Sequence, residues 1–110
     1  MAMEDTNEME MTCFEIISYV GTAKSCYINA VSKAKEGDYT AAEELIKQGD
    51  EAFKGGHDIH LKMLQRTAQG EELGFNLLLL HAEDQMAGAE TFKVMALDLI
   101  DVYRKLNSLL

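Results

Sequence analysis

His81 and Asp84 stand three residues apart in LLLLHAEDQM. On a helix that spacing stacks two side chains on one face, close enough to share a site. A neutral imidazole is a nucleophile near pH 7, and a carboxylate accepts a hard cation or a proton. A second pair, His57 and His60 in HDIH, has a spacing that suits a transition metal. A ferritin-like di-iron centre is not supported, because no Glu-x-x-His motif is present. Cys13 and Cys26 are 26 − 13 = 13 residues apart, about 20 Å along one helix, too far to bridge within the chain. With no nucleophile elbow and no glycine-rich phosphate cradle, serine-type hydrolysis and ATP binding drop out. A histidine that takes a group from one protein and hands it to another fits these residues.

Three helices must position them. From Met11 to Lys35 the apolar residues Phe14, Ile17, Val20 or Gly21, Ile28 and Val31 recur at helical spacing, with Lys24 interrupting the stripe. Gly37 suits a left-handed C-terminal cap. Thr40 and Glu43 read as a capping box opening a second helix over 41–68, with Leu45, Ile46, Ala52, Phe53, Ile59, Met63 and Leu64 on its apolar face. Gly49, Gly55 and Gly56 weaken that helix, each by about 1 kcal/mol relative to Ala, and predict a bend or a close backbone approach near Gly55-Gly56. Gly70 to Gly74 is the next connection, and a third helix runs from Phe75 to about Asn107. No strands are expected. Residues 1–10 read as a polar, flexible tail before a single domain spanning 1–110.

On a wheel with Leu77 at 0°, His81 falls near 40° and Asp84 near 340°, given about 100° per residue. Both lie in the apolar arc that holds Phe92, Met95, Leu99, Ile100, Val102 and Leu106, whereas Lys93 and Arg104 fall on the opposite, wet side. A histidine and an aspartate there break an otherwise regular pattern, and such breaks concentrate at functional sites. A carboxylate buried in that arc needs a cation, a metal or several donors. One carboxylate per chain is too few for a hard cation that wants about six oxygens; three copies around an axis, completed by water, suffice. Leu77 to Leu80 point in all directions around the helix, so a second copy of the chain is the simplest cover for the side that a three-helix monomer leaves wet.

Ten Lys and Arg against 19 Asp and Glu give a net charge of −9. That excludes nucleic acid and anionic lipid as partners, through repulsion by their phosphates. An apolar content of 47% is too high for a disordered acidic tail. No run is long enough for membrane insertion. The first ten residues lack the basic and apolar regions of a secretory leader, and the thiols are unpaired, which together read as a cytoplasmic protein.

LLLLHAEDQM and the amphipathic helix that follows to DLIDVYRKL resemble the lactose/cellobiose class of enzyme IIA of the bacterial phosphoenolpyruvate-dependent sugar phosphotransferase system. FEIISYVGTAKSCYINAVSKAKEGDY and AAEELIKQG carry the resemblance through the first two helices, so it covers nearly the whole chain. It implies an all-α antiparallel three-helix bundle that assembles as a nine-helix homotrimer. His81 matches the family's phosphorylated histidine, which takes a phosphoryl group on Nε2 from the phosphocarrier HPr. That group passes to a cysteine of the cognate enzyme IIB during uptake of a β-glycoside or disaccharide of the lactose, cellobiose or chitobiose class. Asp84 matches the aspartate that meets its two symmetry mates around a divalent ion, usually taken as Mg2+. Many members carry a second histidine after that aspartate; here it is Gln85, whose amide can still donate to a phosphoryl oxygen. Members often carry Gln-Thr where this chain has His60 and Leu61.

Two other readings follow from the residues. One is a non-catalytic helical oligomerisation or adaptor module with a structural metal on Asp84. The other is a metal-binding bundle built on His57, His60 or His81.

Overall fold

The structure, a computed structural model, describes residues 2–74 and 76–110, with side chains from Glu8 onward. The described residues form three helices: α1 (Ala2–Lys35), α2 (Tyr39–Ala68) and α3 (Leu77–Ser108). They run up, down and up in a rod of 63 × 20 × 20 Å. Among the described residues there is no strand, and no helix is long and apolar enough to cross a membrane.

The helices end where glycine allows them to. Gly37, Gly70 and Gly74 adopt positive φ, and no non-glycine residue among those described does so. The start of α2 differs from expectation. Asp38, not Thr40, is the N-cap, and its carboxylate accepts from the Ala41 backbone N–H at 3.1 Å. Glu43 is then free to reach Arg104 of α3, 3.0 Å away. Residues 2–10, read as a tail, form the first turns of α1, and Met1 lies outside the described residues. Phe75 also lies outside them; α3 starts at Leu77, with the Asn76 side chain accepting from the Leu79 N–H at 2.7 Å.

The core is built from small residues at strict spacing. α1 buries Cys13, Ile16, Val20, Ala23, Tyr27, Ala30 and Ala34, in alternating steps of three and four. α2 buries Ala42, Gly49, Gly56 and Met63, one every seven residues. These are not the stripes read from the large residues. Phe14 is 59% exposed and Ile28 45% exposed, and Leu64 also faces out. Small side chains let the backbones approach, and the large ones flank the seam. A Cβ on Gly56 would come within 3.0 Å of Val20 Cγ1 and 3.5 Å of the Ile16 carbonyl oxygen. The close approach is therefore real, while α2 itself runs unbroken through Gly55-Gly56.

α1 packs against both other helices, whereas α2 and α3 share few contacts. Three polar struts tie that open side instead: the His60–Glu83 hydrogen bond at 2.8 Å and the ion pairs Asp50–Lys93 at 2.9 Å and Glu43–Arg104 at 3.0 Å. The supposed wet side of α3 is thus the side turned toward α2. The middle strut also joins α1, because the Tyr27 hydroxyl donates to Asp50 at 2.8 Å.

Candidate functional site

α3 divides its apolar arc in two. Ala82, Met86, Ala89, Ala96 and Ile100 turn inward onto α1. About 100° further round, an outward stripe runs through Leu77, His81, Asp84, Gly88, Thr91, Met95, Leu99, Val102 and Leu106. Every residue of this stripe is exposed, Leu77 at 77% and Val102 at 56%. Its steps of four and three are those of a coiled-coil seam, with one extra step of four at Met95–Leu99.

His81 and Asp84 belong to this stripe. The aspartate is therefore exposed in one chain, and any burial of its carboxylate must come from other copies. Among the described residues, neither side chain makes a hydrogen bond or ion pair. Both are left available: the imidazole to a partner, the carboxylate to a cation. His81 stands in the second turn of α3. Leu77 and Leu80, both exposed, flank it. One turn on, Asp84 and Gln85 line a groove between α1 and α3 together with Lys24 and Gly88.

The other histidines face different neighbours. His57 stacks on Phe53 with ring centroids 6.2 Å apart and borders a groove near Lys93 and Glu90. His60, its side chain only 17% exposed, pairs with Glu83. No group of three His, Cys, Asp or Glu among the described residues could hold a metal within one chain, so HDIH forms no such centre here. His60 instead secures α2 to α3 beside the turn that carries His81. Sequence reasoning missed that contact, because no local pattern pairs position 60 with position 83. Cys13 is buried; desolvation first, then the charges of Glu83 and Glu10, push its thiol above the ordinary value, which disfavours the reactive thiolate.

Asp84 fits a hard divalent cation by donor chemistry: its oxygens are exposed, carry no internal partner and are the ligand type such ions prefer. One carboxylate does not complete a shell, so the fit requires other chains.

The described residues thus form an all-helical bundle that carries His81 on the exposed face of its third helix. The chain belongs to the family described as "PTS system, Lactose/Cellobiose specific IIA subunit", whose model matches residues 11–104. It is accordingly a phosphotransferase component of a sugar phosphotransferase system. It is 34% identical to the PTS system oligo-beta-mannoside-specific EIIA component of Bacillus subtilis, over 89% of each chain. The crystal structure of the PTS cellobiose-specific enzyme IIA from Bacillus anthracis superposes with a TM-score of 0.89 at 33% identity, covering 91% of this chain and 92% of that one. A solution structure described as the IIA(Chitobiose)–HPr complex shares the fold, with a TM-score of 0.80 at 24% identity over 90% of this chain and 96% of that one.

Proposed function

We propose that His81 is the phosphoryl carrier, accepting from HPr and delivering to a cysteine of the cognate enzyme IIB in uptake of a β-glycoside or disaccharide of the lactose, cellobiose or chitobiose class. The observation that carries this reading is the position of His81: an imidazole without internal partners, on an exposed and otherwise apolar helix stripe, where two different proteins can reach it in turn. The relative named for cellobiose and the neighbour described as a complex with HPr support the donor and the sugar class.

In the first step a His81 ring nitrogen, Nε2 by the family resemblance, forms a bond to phosphorus as the donor's P–N bond breaks. In the second, the IIB cysteine thiolate attacks phosphorus and the His81 P–N bond breaks, returning the lone pair to the ring. Such transfers pass through loose, in-line transition states, so the protein chiefly positions and neutralises. The Asn76 cap and the His60–Glu83 strut fix the turn that holds the ring. Leu77 and Leu80 give an apolar rim that excludes water once a partner docks, which slows hydrolysis of the phosphohistidine. Gln85 stands one turn away as an amide donor.

The same stripe supports a homotrimer in which three α3 helices pack along it and cover Met95, Leu99, Val102 and Leu106, nine helices in all. In such a trimer Asp84 would meet its two mates, and the three carboxylates would supply oxygen donors to a divalent ion, Mg2+ by the resemblance. That ion would neutralise the converging charges. The reading places the protein in the cytoplasm, where both partners act.

Intact-protein mass is measured after incubation with phosphoenolpyruvate, enzyme I and HPr, for wild type and His81→Ala. One acid-labile phosphoryl group on wild type only is the expected result. No gain, with HPr itself phosphorylated, overturns the reading and leaves the adaptor role.

A further inference from the structure

We propose that Lys24 is a built-in counter-charge for Asp84, so that the assembled stripe does not depend on a metal ion alone for neutrality. The inference rests on the trimer reading above and concerns a residue which that reading does not use.

Lys24 interrupts a row on α1. Ile17 and Val31, one heptad before and after it, both pack against the core. A lysine in that row breaks the pattern of α1 as Asp84 breaks that of α3. The structure brings the two exceptions together: Lys24, Asp84 and Gln85 border one groove between the helices. Lys24 is half-buried, and among the described residues its ammonium makes no ion pair or hydrogen bond. The other half-buried lysines, Lys33 and Lys93, both have carboxylate partners, whereas Lys35, Lys47 and Lys62, which make no ion pair among the described residues, are exposed. Lys24 and Asp84 do not form an ion pair in the single chain, where water solvates both.

Assembly changes the balance. Covering the α3 stripe removes water from Asp84 and brings carboxylates of like charge together, and a desolvated carboxylate must find a cation. The lysine stem is flexible and carries a compact charge at its end. The groove leaves it room to swing, because Gly88, next along the stripe from Asp84, has no atom within 4 Å of the place a Cβ would occupy. Three Lys24 would face three Asp84, one pair per chain. A metal bound on the axis would then add to this neutralisation rather than supply all of it.

The test is sedimentation analysis of the trimer over a dilution series, in excess EDTA and in excess Mg2+. It uses wild type, Lys24→Met, Asp84→Leu and the double variant, with far-ultraviolet circular dichroism to verify folding. Wild type is expected to stay trimeric in EDTA. Lys24→Met should dissociate in EDTA at a concentration about tenfold higher or more, the loss expected for a desolvated carboxylate without its counter-charge. Mg2+ should restore it, and the double variant should be trimeric in both buffers. A Lys24→Met curve that overlies wild type in EDTA overturns the inference. A defect that persists in the double variant overturns it too, since the methylene stem and not the charge would then be at work. A wild type that is monomeric throughout refutes the assembly reading itself and removes the basis for Lys24.

Discussion

Gly49→Ala tests the close packing that holds the bundle together. A Cβ at position 49 would lie 2.5 Å from Tyr27 Cε1, 2.8 Å from Cδ1 and 3.1 Å from Cζ. The ring cannot swing away cheaply. It is 1% exposed, and its hydroxyl is held by Asp50, which is itself held by Lys93. Relief therefore requires α2 to retreat by about 1 Å toward ordinary carbon–carbon contact, and α2 is one continuous helix whose Ala42, Gly56 and Met63 pack in the same seam. Overpacking of this kind costs about 1–3 kcal/mol, and losing the Tyr27–Asp50 bond adds about 1 kcal/mol. Replacing a helical glycine by alanine returns about 1 kcal/mol. The net expectation from these terms is a destabilisation of about 1–3 kcal/mol, or a drop in Tm of about 4–12 °C. Gly21→Ala is the matched control: it is also inside a helix, but nothing lies within 4 Å of its added Cβ, so propensity alone acts and stability rises by up to about 1 kcal/mol. Equilibrium urea unfolding at one protein concentration, followed by circular dichroism, compares the two. If Gly49→Ala is as stable as wild type, the glycine is not there to admit the Tyr27 ring, and the argument for a small-residue seam fails.

Two further outcomes are expected. Asp38→Ala should lower stability by about 1 kcal/mol through loss of the N-cap of α2, while Thr40→Ala changes it far less; urea midpoints that rank the other way would restore Thr40 as the cap. The chain should also lose stability in alkali. Burial raises the Cys13 thiol above its ordinary 9.0, and burial followed by the Asp50 hydrogen bond raises the Tyr27 phenol above its ordinary 10.0. Folding thus favours both neutral forms; that stability is intact below about pH 9 and falls as pH climbs past the unfolded values. Tyr27→Phe should flatten the upper part of the fall, and an unfolding midpoint independent of pH between 9 and 11 would refute the assignment.

The helices were legible because their punctuation is local. Gly37 and Gly70 announce the ends of α1 and α2, and Pro is absent from the sequence. The core was less legible, because attention to large apolar residues selects Phe14 and Ile28, whereas Cys13, Ala23, Ala30, Gly49 and Gly56 fill the seams. Small residues carry little hydropathy signal, and only their three–four and seven-residue recurrence betrays them. His81 and Asp84 stood out in the sequence because they interrupt an apolar arc. Which half of that arc faces α1 depends on how α3 rolls against its neighbour, and no single-helix wheel reports that. The same holds for His60–Glu83, Asp50–Lys93 and Glu43–Arg104, whose partners come from helices far apart in sequence.

The uneven joints of the bundle bear on where related chains can differ. A change at a buried α1 position such as Tyr27 or Ala30 is felt by packed neighbours on other helices. A change at Glu43 or Lys93 on the α2–α3 side removes one partly exposed ion pair, worth about 1 kcal/mol or less. At those positions the face can change its charge while the rod keeps its form. The bundle thus separates a keel of interlocked small residues, where a substitution is costly, from a flank held by single charges, where it is cheap.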